Sequence, residues 1–216
     1  MIRANRSTTF YQLVELTARA SPEVRRFQND LREFADLRNA IVHERTDGHV
    51  IAEPNDRAVR ELEGIAALLL KPPRVYPFFH THVFNCKASD SVAEAVKLML
   101  DRSFSQVPIT AQGHMVGLLT ANTIARWLGK RVEEEIFSLV ESRVQDVLKY
   151  TEDPQNHSFV GRQATLFEAV EEFQEFERKG KRLEAILITH SGKPNEALLG
   201  IITISDLPKL LARLAA

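Results

Sequence analysis

Two short groups of residues in this sequence carry types and spacings that could do chemistry. In Gly200-Ile201-Ile202-Thr203-Ile204-Ser205-Asp206 an apolar run ends and a helix is expected to begin. Thr203 is placed to cap that helix, where free backbone N–H groups and the helix dipole favour an anion such as phosphate. Asp206 lies one turn further on, so both side chains point toward the same mouth. A carboxylate there can accept both hydroxyl protons of a ribose, and a threonine hydroxyl can meet a phosphate oxygen. The pair suits a nucleotide. The same spacing also makes an ordinary N-cap with an acidic first turn, which needs no ligand.

The second group is Asp36-Leu37-Arg38-Asn39-Ala40-Ile41-Val42-His43-Glu44. Asn39 and His43 are one turn apart and share a helix face. Arg38 is about 140° around from His43 on an ideal helix, but its long side chain can bend toward the same cleft. A histidine can move a 2′-hydroxyl or leaving-group proton near neutral pH. An arginine can grip the scissile phosphate bidentately and offset its developing charge. The set is consistent with RNA cleavage, although Glu33, Asp36, Glu44 and Asp47 surround it with charge that opposes tight RNA binding. His80 and His82, at i and i+2, would share a strand face, yet no nearby cysteine or acidic cluster completes a metal site, and no metal is expected.

The elements that must position these residues fall into two regions. Lys71-Pro-Pro-Arg-Val-Tyr-Pro77 cannot continue a helix, and each proline restricts the residue before it. Residues 1–70 contain no lysine and read as helical. Ser21-Pro22-Glu23 starts a helix, with Val24, Phe27, Leu31, Phe34 and Ile41 at helical spacing and Gly48 as its stop. Another helix is expected from about Asn55 to Leu70, with Val59, Leu62, Ala66 and Leu69 inward. Three helices in ~70 residues bury little surface, so this region is expected to lean on a partner.

Beyond the prolines the chain repeats itself. Ser91-Val-Ala-Glu-Ala-Val96 is echoed by Thr165-Leu-Phe-Glu-Ala-Val170, each a capping box with a hydroxyl N-cap and a glutamate three residues on. A β-type run follows each, Gln106-Val-Pro-Ile-Thr110 and Ala185-Ile-Leu-Ile-Thr189, and then a polar turn. Gly117-Leu-Leu-Thr120 and Gly200-Ile-Ile-Thr203 close the repeats and lead into helices. The order in each is helix, strand, turn, strand, helix.

These repeats resemble CBS domains, which usually occur as pairs. The resemblance implies an α+β fold: a small N-terminal helical bundle, then two βαββα CBS repeats packed as a pseudo-twofold pair. The divisions expected are a helical domain over 1–70, a Pro-rich linker over 71–77, the first repeat over 78–130, a connecting helix over 131–148 and the second repeat over 149–216. In the family a Gly-x-x-Ser/Thr-x-x-Asp motif holds ribose and phosphate, which Thr203 and Asp206 match. The family's cross-repeat arrangement implies that Phe84 and Val107 flank an adenine, with Ile201 beneath it. In the first repeat, Thr120 and Thr123 fall on the motif; Thr123 replaces the aspartate, so a degenerate or empty site is expected, with Asn122 pointing elsewhere. The ligand implied is an adenine nucleotide (AMP, ADP or ATP). The oligomer implied is a homodimer formed through the helices of the pair.

The Arg38–His43 segment resembles the Arg-x4-His signature of the HEPN superfamily of helical nucleases and nucleotide-binding domains, and Asn39 adds to the match. That resemblance implies Arg38, Asn39 and His43 as a catalytic set acting on RNA across a dimer. A helical domain kept only for dimerisation, or for a protein partner, is the competing expectation.

Composition narrows the field. In 216 residues, 44% are hydrophobic and 26% charged, and the net charge of -1 provides no basic field for DNA or RNA. No apolar run approaches the ~18–20 residues that span a bilayer, so no membrane contact is expected. One cysteine, Cys86, leaves no internal disulfide, and a cytoplasmic location fits. No P-loop, Gly-x-Gly-x-x-Gly or serine elbow is present, which removes kinase, dehydrogenase and hydrolase readings. The expectation is a regulatory protein whose nucleotide occupancy modulates its helical domain.

Overall fold

A computed structural model describes residues 8–43, 45–46, 49–50, 53–132 and 138–215; the side chains of 43, 45, 46, 49 and 50 lie outside that description, as does Gly48. The chain forms two compact units that cut across the sequence divisions. One holds residues up to Pro73 together with Thr165–Glu171 and Pro208–Ala216; the other holds Arg74–Ala164 and Glu172–Leu207.

In the first unit, α1 (Phe10–Ala18) opens on a capping box between Thr9 and Gln12. Helix α2 (Pro22–Arg26) uses Ser21 as N-cap and Pro22 in its first turn, as its sequence dictates. The single long helix expected from Pro22 is instead broken at Phe27, and α3 (Gln28–His43) starts afresh. The break has a packing cause: Phe27 is 5% exposed and meets Phe167 edge-on at 5.9 Å. Arg25 reinforces it, donating to the carbonyls of Ala18 and Arg19 and pairing with Glu171.

A short antiparallel pair, β1 (Arg45–Thr46) and β2 (His49–Val50), precedes α4 (Asp56–Leu70), which Asn55 caps. Helix α4 turns Ile65 inward; Val59 and Leu62, expected in the core, are 39% and 40% exposed.

The second unit begins with α5 (Val75–Phe79), so the Pro-rich segment is helical over its last residues, with Pro77 in the first turn where its missing N–H costs nothing. Two three-stranded sheets follow, of orders β3-β4-β5 and β6-β7-β8. The first repeat runs β3 (Cys86–Lys87), α6 (Val92–Arg102), β4 (Gln106–Ala111), β5 (His114–Thr120), α7 (Ala121–Arg131). The second runs β6 (His157–Gly161), α9 (Leu166–Arg178), β7 (Ala185–Thr189), β8 (Gly200–Thr203), a 3₁₀ turn at Ile204–Asp206 and α10 (Leu207–Arg213). In both sheets the first pair is parallel and the second antiparallel. Gln106 faces Thr120 as Ala185 faces Thr203, which fixes the equivalence of the repeats residue by residue.

The turns differ. Gln112 (φ 51°) and Gly113 (φ 82°) make a two-residue hairpin in the first repeat, the left-handed pair such a turn requires. In the second, residues 190–199 form a loop held by Glu196, whose carboxylate accepts from the Ser191 N–H and hydroxyl at 2.6 Å each. The expected connecting helix over 131–148 is interrupted: residues 138–143 are not helical, and only α8 (Val144–Leu148) is helical beyond them. Val144 and Val147 explain this, since both are fully buried beside Trp127, Val107 and Ile109 in the core of the first repeat. Cys86 sits in the same core; burial, with Asp90 and Glu94 adding to it, pushes its thiol up to about 11.

Candidate functional site

Strand β8 alternates buried and half-buried residues, so Ile202 enters the core while Ile201 and Thr203 face the other way. They open onto a cavity of about 320 Å³ that Asp206 and Ser205 also line. From the first repeat, Phe84, Phe104, Gln106 and Pro108 complete its walls. Of the five residues expected to meet a nucleotide, Thr203, Asp206, Ile201 and Phe84 are therefore brought together.

Val107 is not. It is 0% exposed in the core of the first repeat, and Pro108 beside it faces the cavity instead. The cause is the two-residue period of β4: Val107 and Ile109 share the core face, which leaves Gln106 and Pro108 on the other. Reading that alternation strictly would have found Pro108.

The expected helix start is also tighter than anticipated. Asp206 reaches back, accepting from the Thr203 N–H and from the Thr203 hydroxyl, both at 3.0 Å to one carboxylate oxygen. The turn between them is 3₁₀. Thr203 and Asp206 thus reach the cavity as one hydrogen-bonded unit, able to present hydroxyl and carboxylate oxygens to a polyol.

Around Phe84 lies an aromatic cluster that spacing alone does not reveal. His82 meets its ring at right angles, 4.7 Å between centroids, and Phe104 lies 6.0 Å away. The Arg102 guanidinium sits over the Phe84 ring, 4.2 Å from its centroid.

The corresponding cavity on the first repeat is of similar size, about 340 Å³, and contains Thr120 and Thr123. Thr120 caps the Thr123 N–H at 3.0 Å, and their hydroxyls lie 2.9 Å apart, so the two close on each other. Asn122, expected to point elsewhere, lines this cavity too and donates to Glu152 at 3.3 Å. The charged residues on its walls are all paired: Glu152 with Arg126 outside the lining at 3.4 Å, Lys181 with Asp153 at 3.4 Å, and Arg182 with Glu184 at 3.0 Å. Counting back along the chain from the paired strands, Ser158 corresponds to Phe84 of the other repeat, and Asn156 to His82. Asn156 is 6% exposed and donates to the Leu118 carbonyl at 3.4 Å.

A third cavity, about 640 Å³, is larger than either. It borders the Thr203–Asp206 cavity along Thr81–Val83 and includes His80 and His82. The His80 ring packs on Tyr76, 4.6 Å between centroids. Among the described residues no group of three or more His, Cys, Asp or Glu gathers as metal ligands would.

In α3, Arg38 donates to the Asn39 side-chain oxygen at 3.2 Å, Asn39 donates to the Tyr11 hydroxyl at 3.3 Å, and that hydroxyl donates to Asp36 at 2.7 Å. The bond to Asp36 raises the Tyr11 pKa. His43 ends the helix, and its side chain lies outside the described residues.

Comparison with known proteins bears on the second unit. The CBS domain family matches residues 76–130, beyond the Arg38–His43 helix. No curated protein matches the chain. A proposed acetoin utilization protein from Vibrio cholerae is similar in structure, with 17% identity and a TM-score of 0.51 over 67% of this chain and 93% of that one. So is the CBS domain of a CBS domain containing membrane protein from Sphaerobacter thermophilus, with 19% identity and a TM-score of 0.51 over 72% and 96% of the two chains. At these identities the likeness is one of fold. No described helix is long and apolar enough to cross a membrane. Residues 76–130 are thus similar to a CBS domain, and the repeat after them has the same order of strands and helices.

Proposed function

We propose that this protein is a regulatory sensor that binds one adenine nucleotide per chain in the cavity of Thr203 and Asp206. The observation that carries this reading is the joint presence in one cavity of an aromatic ring from the first repeat, Phe84, and the Thr203–Asp206 pair from the second. A cavity of about 320 Å³ suits a nucleoside, and pockets of this class place a few polar groups among apolar walls. Asp206 accepts from the ribose hydroxyls, Thr203 and Ser205 face the 5′ substituent, and the base lies between Phe84 and Ile201.

The chain itself suggests how occupancy is passed on. Two residues after Asp206, at Pro208, the polypeptide enters the compact unit that contains the N-terminal helices. A ligand shifts that unit only by its differential affinity for two arrangements. The protein acts as a homodimer in this reading.

Calorimetric titration with AMP, ADP, ATP and S-adenosylmethionine tests the assignment. Binding that disappears in Asp206→Ala and survives in Asn122→Ala supports it. Equal affinities in both variants and the wild type sink it, and no binding to any ligand favours a dimer scaffold for a protein partner. The nuclease reading rests on the sequence of Arg38, Asn39 and His43, and the engagement of Asn39 with Tyr11 equally serves packing. Its test is metal-independent RNA cleavage that vanishes in His43→Ala with the fold intact.

A further inference from the structure

We infer that Arg102 is a positioning residue for the ligand of the Thr203–Asp206 cavity and acts through the ring of Phe84; the inference rests on the nucleotide reading above. Phe84 lies in the irregular segment between α5 and β3, where its backbone belongs to no strand. Nothing in the backbone ladder therefore fixes the plane of its ring, and its side-chain neighbours must. Arg102 shares that work with His82 and Phe104, reaching from the last turn of α6 with its guanidinium 4.2 Å from the ring centroid.

The turn that delivers Arg102 is itself well fixed. Ser103 takes the left-handed conformation (φ 54°) that ends α6, and the Phe104 N–H bonds back to the Met99 carbonyl at 2.8 Å. Ser103 and Phe104 line the cavity, whereas Arg102 does not. The guanidinium occupies one face of the ring, so a base that stacks on Phe84 takes the other. A ring already held in its binding orientation loses less freedom when the ligand arrives, and this is how Arg102 raises affinity without touching the ligand.

Two mechanisms could make an arginine here matter, and they separate by phosphate count. Adenosine, AMP and ADP would be titrated against the wild type, Arg102→Ala, Arg102→Lys, Phe84→Leu and the double variant Arg102→Ala/Phe84→Leu. Arg102→Ala is expected to weaken all three ligands by the same factor, about 2- to 5-fold. Arg102→Lys should retain part of the affinity, and Arg102→Ala should cost nothing further once Phe84 is leucine. A loss that grows with phosphate number and is nil for adenosine would overturn the inference, since Arg102 would then be a phosphate ligand. Unchanged affinity in Arg102→Ala, or additive losses in the double variant, would overturn it as well. Failure of the wild type to bind any of the three is a different result: it removes the nucleotide reading itself, and this inference with it.

Discussion

The cavities at the Thr203–Asp206 and Thr120–Thr123 turns are nearly equal in volume and different in chemistry. The cavity on the second repeat has an aromatic ring, a proline and a threonine–carboxylate pair on its walls. The one on the first repeat has two hydroxyls that bond to each other and walls of paired ions, with Asn156 reaching the Leu118 carbonyl from inside the protein. In the first repeat the protein supplies its own partners. The comparison teaches that a shared backbone order can leave cavities of similar size while the side chains that line them differ in chemistry.

The backbone part of this comparison carries the largest expected effect. An added Cβ at Gly200 would run into the Phe79 carbonyl oxygen, whereas at the equivalent Gly117 it would meet only the flexible Leu148 side chain at 3.3 Å. Gly200→Ala should lose about 3 kcal/mol or more in urea unfolding, and Gly117→Ala less than about 1. Equal losses would mean that β5 and β8 are packed equally tightly at this position. Next in size is the ligand contrast. Asp206→Ala removes a charged acceptor and should weaken nucleotide binding by about 1.5–3 kcal/mol, while Thr123→Ala should leave it unchanged. A comparable loss from Thr123→Ala would put the ligand in the wrong repeat.

Acid should affect the repeats differently. Burial holds His157 below its ordinary value of 6.5, and its counterpart, counted back along the chain from β3, is Val83, which does not titrate. The unfolded chain takes up that proton more readily. Stability linked to His157 is thus present above 6.5 and is lost as pH falls below it, through the folded-state value. His157→Val should flatten the unfolding midpoint over that window; an unchanged acid slope would show that other groups set it. The smallest effect expected is that of Arg126→Ala. This pair with Glu152 is exposed on both sides and should be worth less than about 1 kcal/mol, near the resolution of thermal unfolding.

How much of this was legible in the sequence follows from the range of the interactions. The capping boxes at Ser91/Glu94 and Thr165/Glu168 form as their spacing dictates, because each is local. The repeat order and the meeting of Thr203 with Asp206 are local or duplicated signals too. What the sequence concealed depends on distant partners. Phe27 continues a helical pattern, yet Phe167, far along the chain, makes it a corner. Val144 and Val147 read as part of a long connecting helix until the first repeat's core claims them. Val107 was misplaced for a different reason, since its own strand period held the answer.

The buried cysteine has a practical consequence. Cys86 is the chain's only cysteine, lies in the first repeat's core, and carries a thiol pushed up to about 11. A thiol-reactive dye can reach it only when that repeat opens, so the rate of labelling is a built-in clock of local unfolding. No engineered probe is needed. Under nucleotide, a slower clock would mean that a ligand seated against Phe84 and Pro108 keeps the first repeat's core closed.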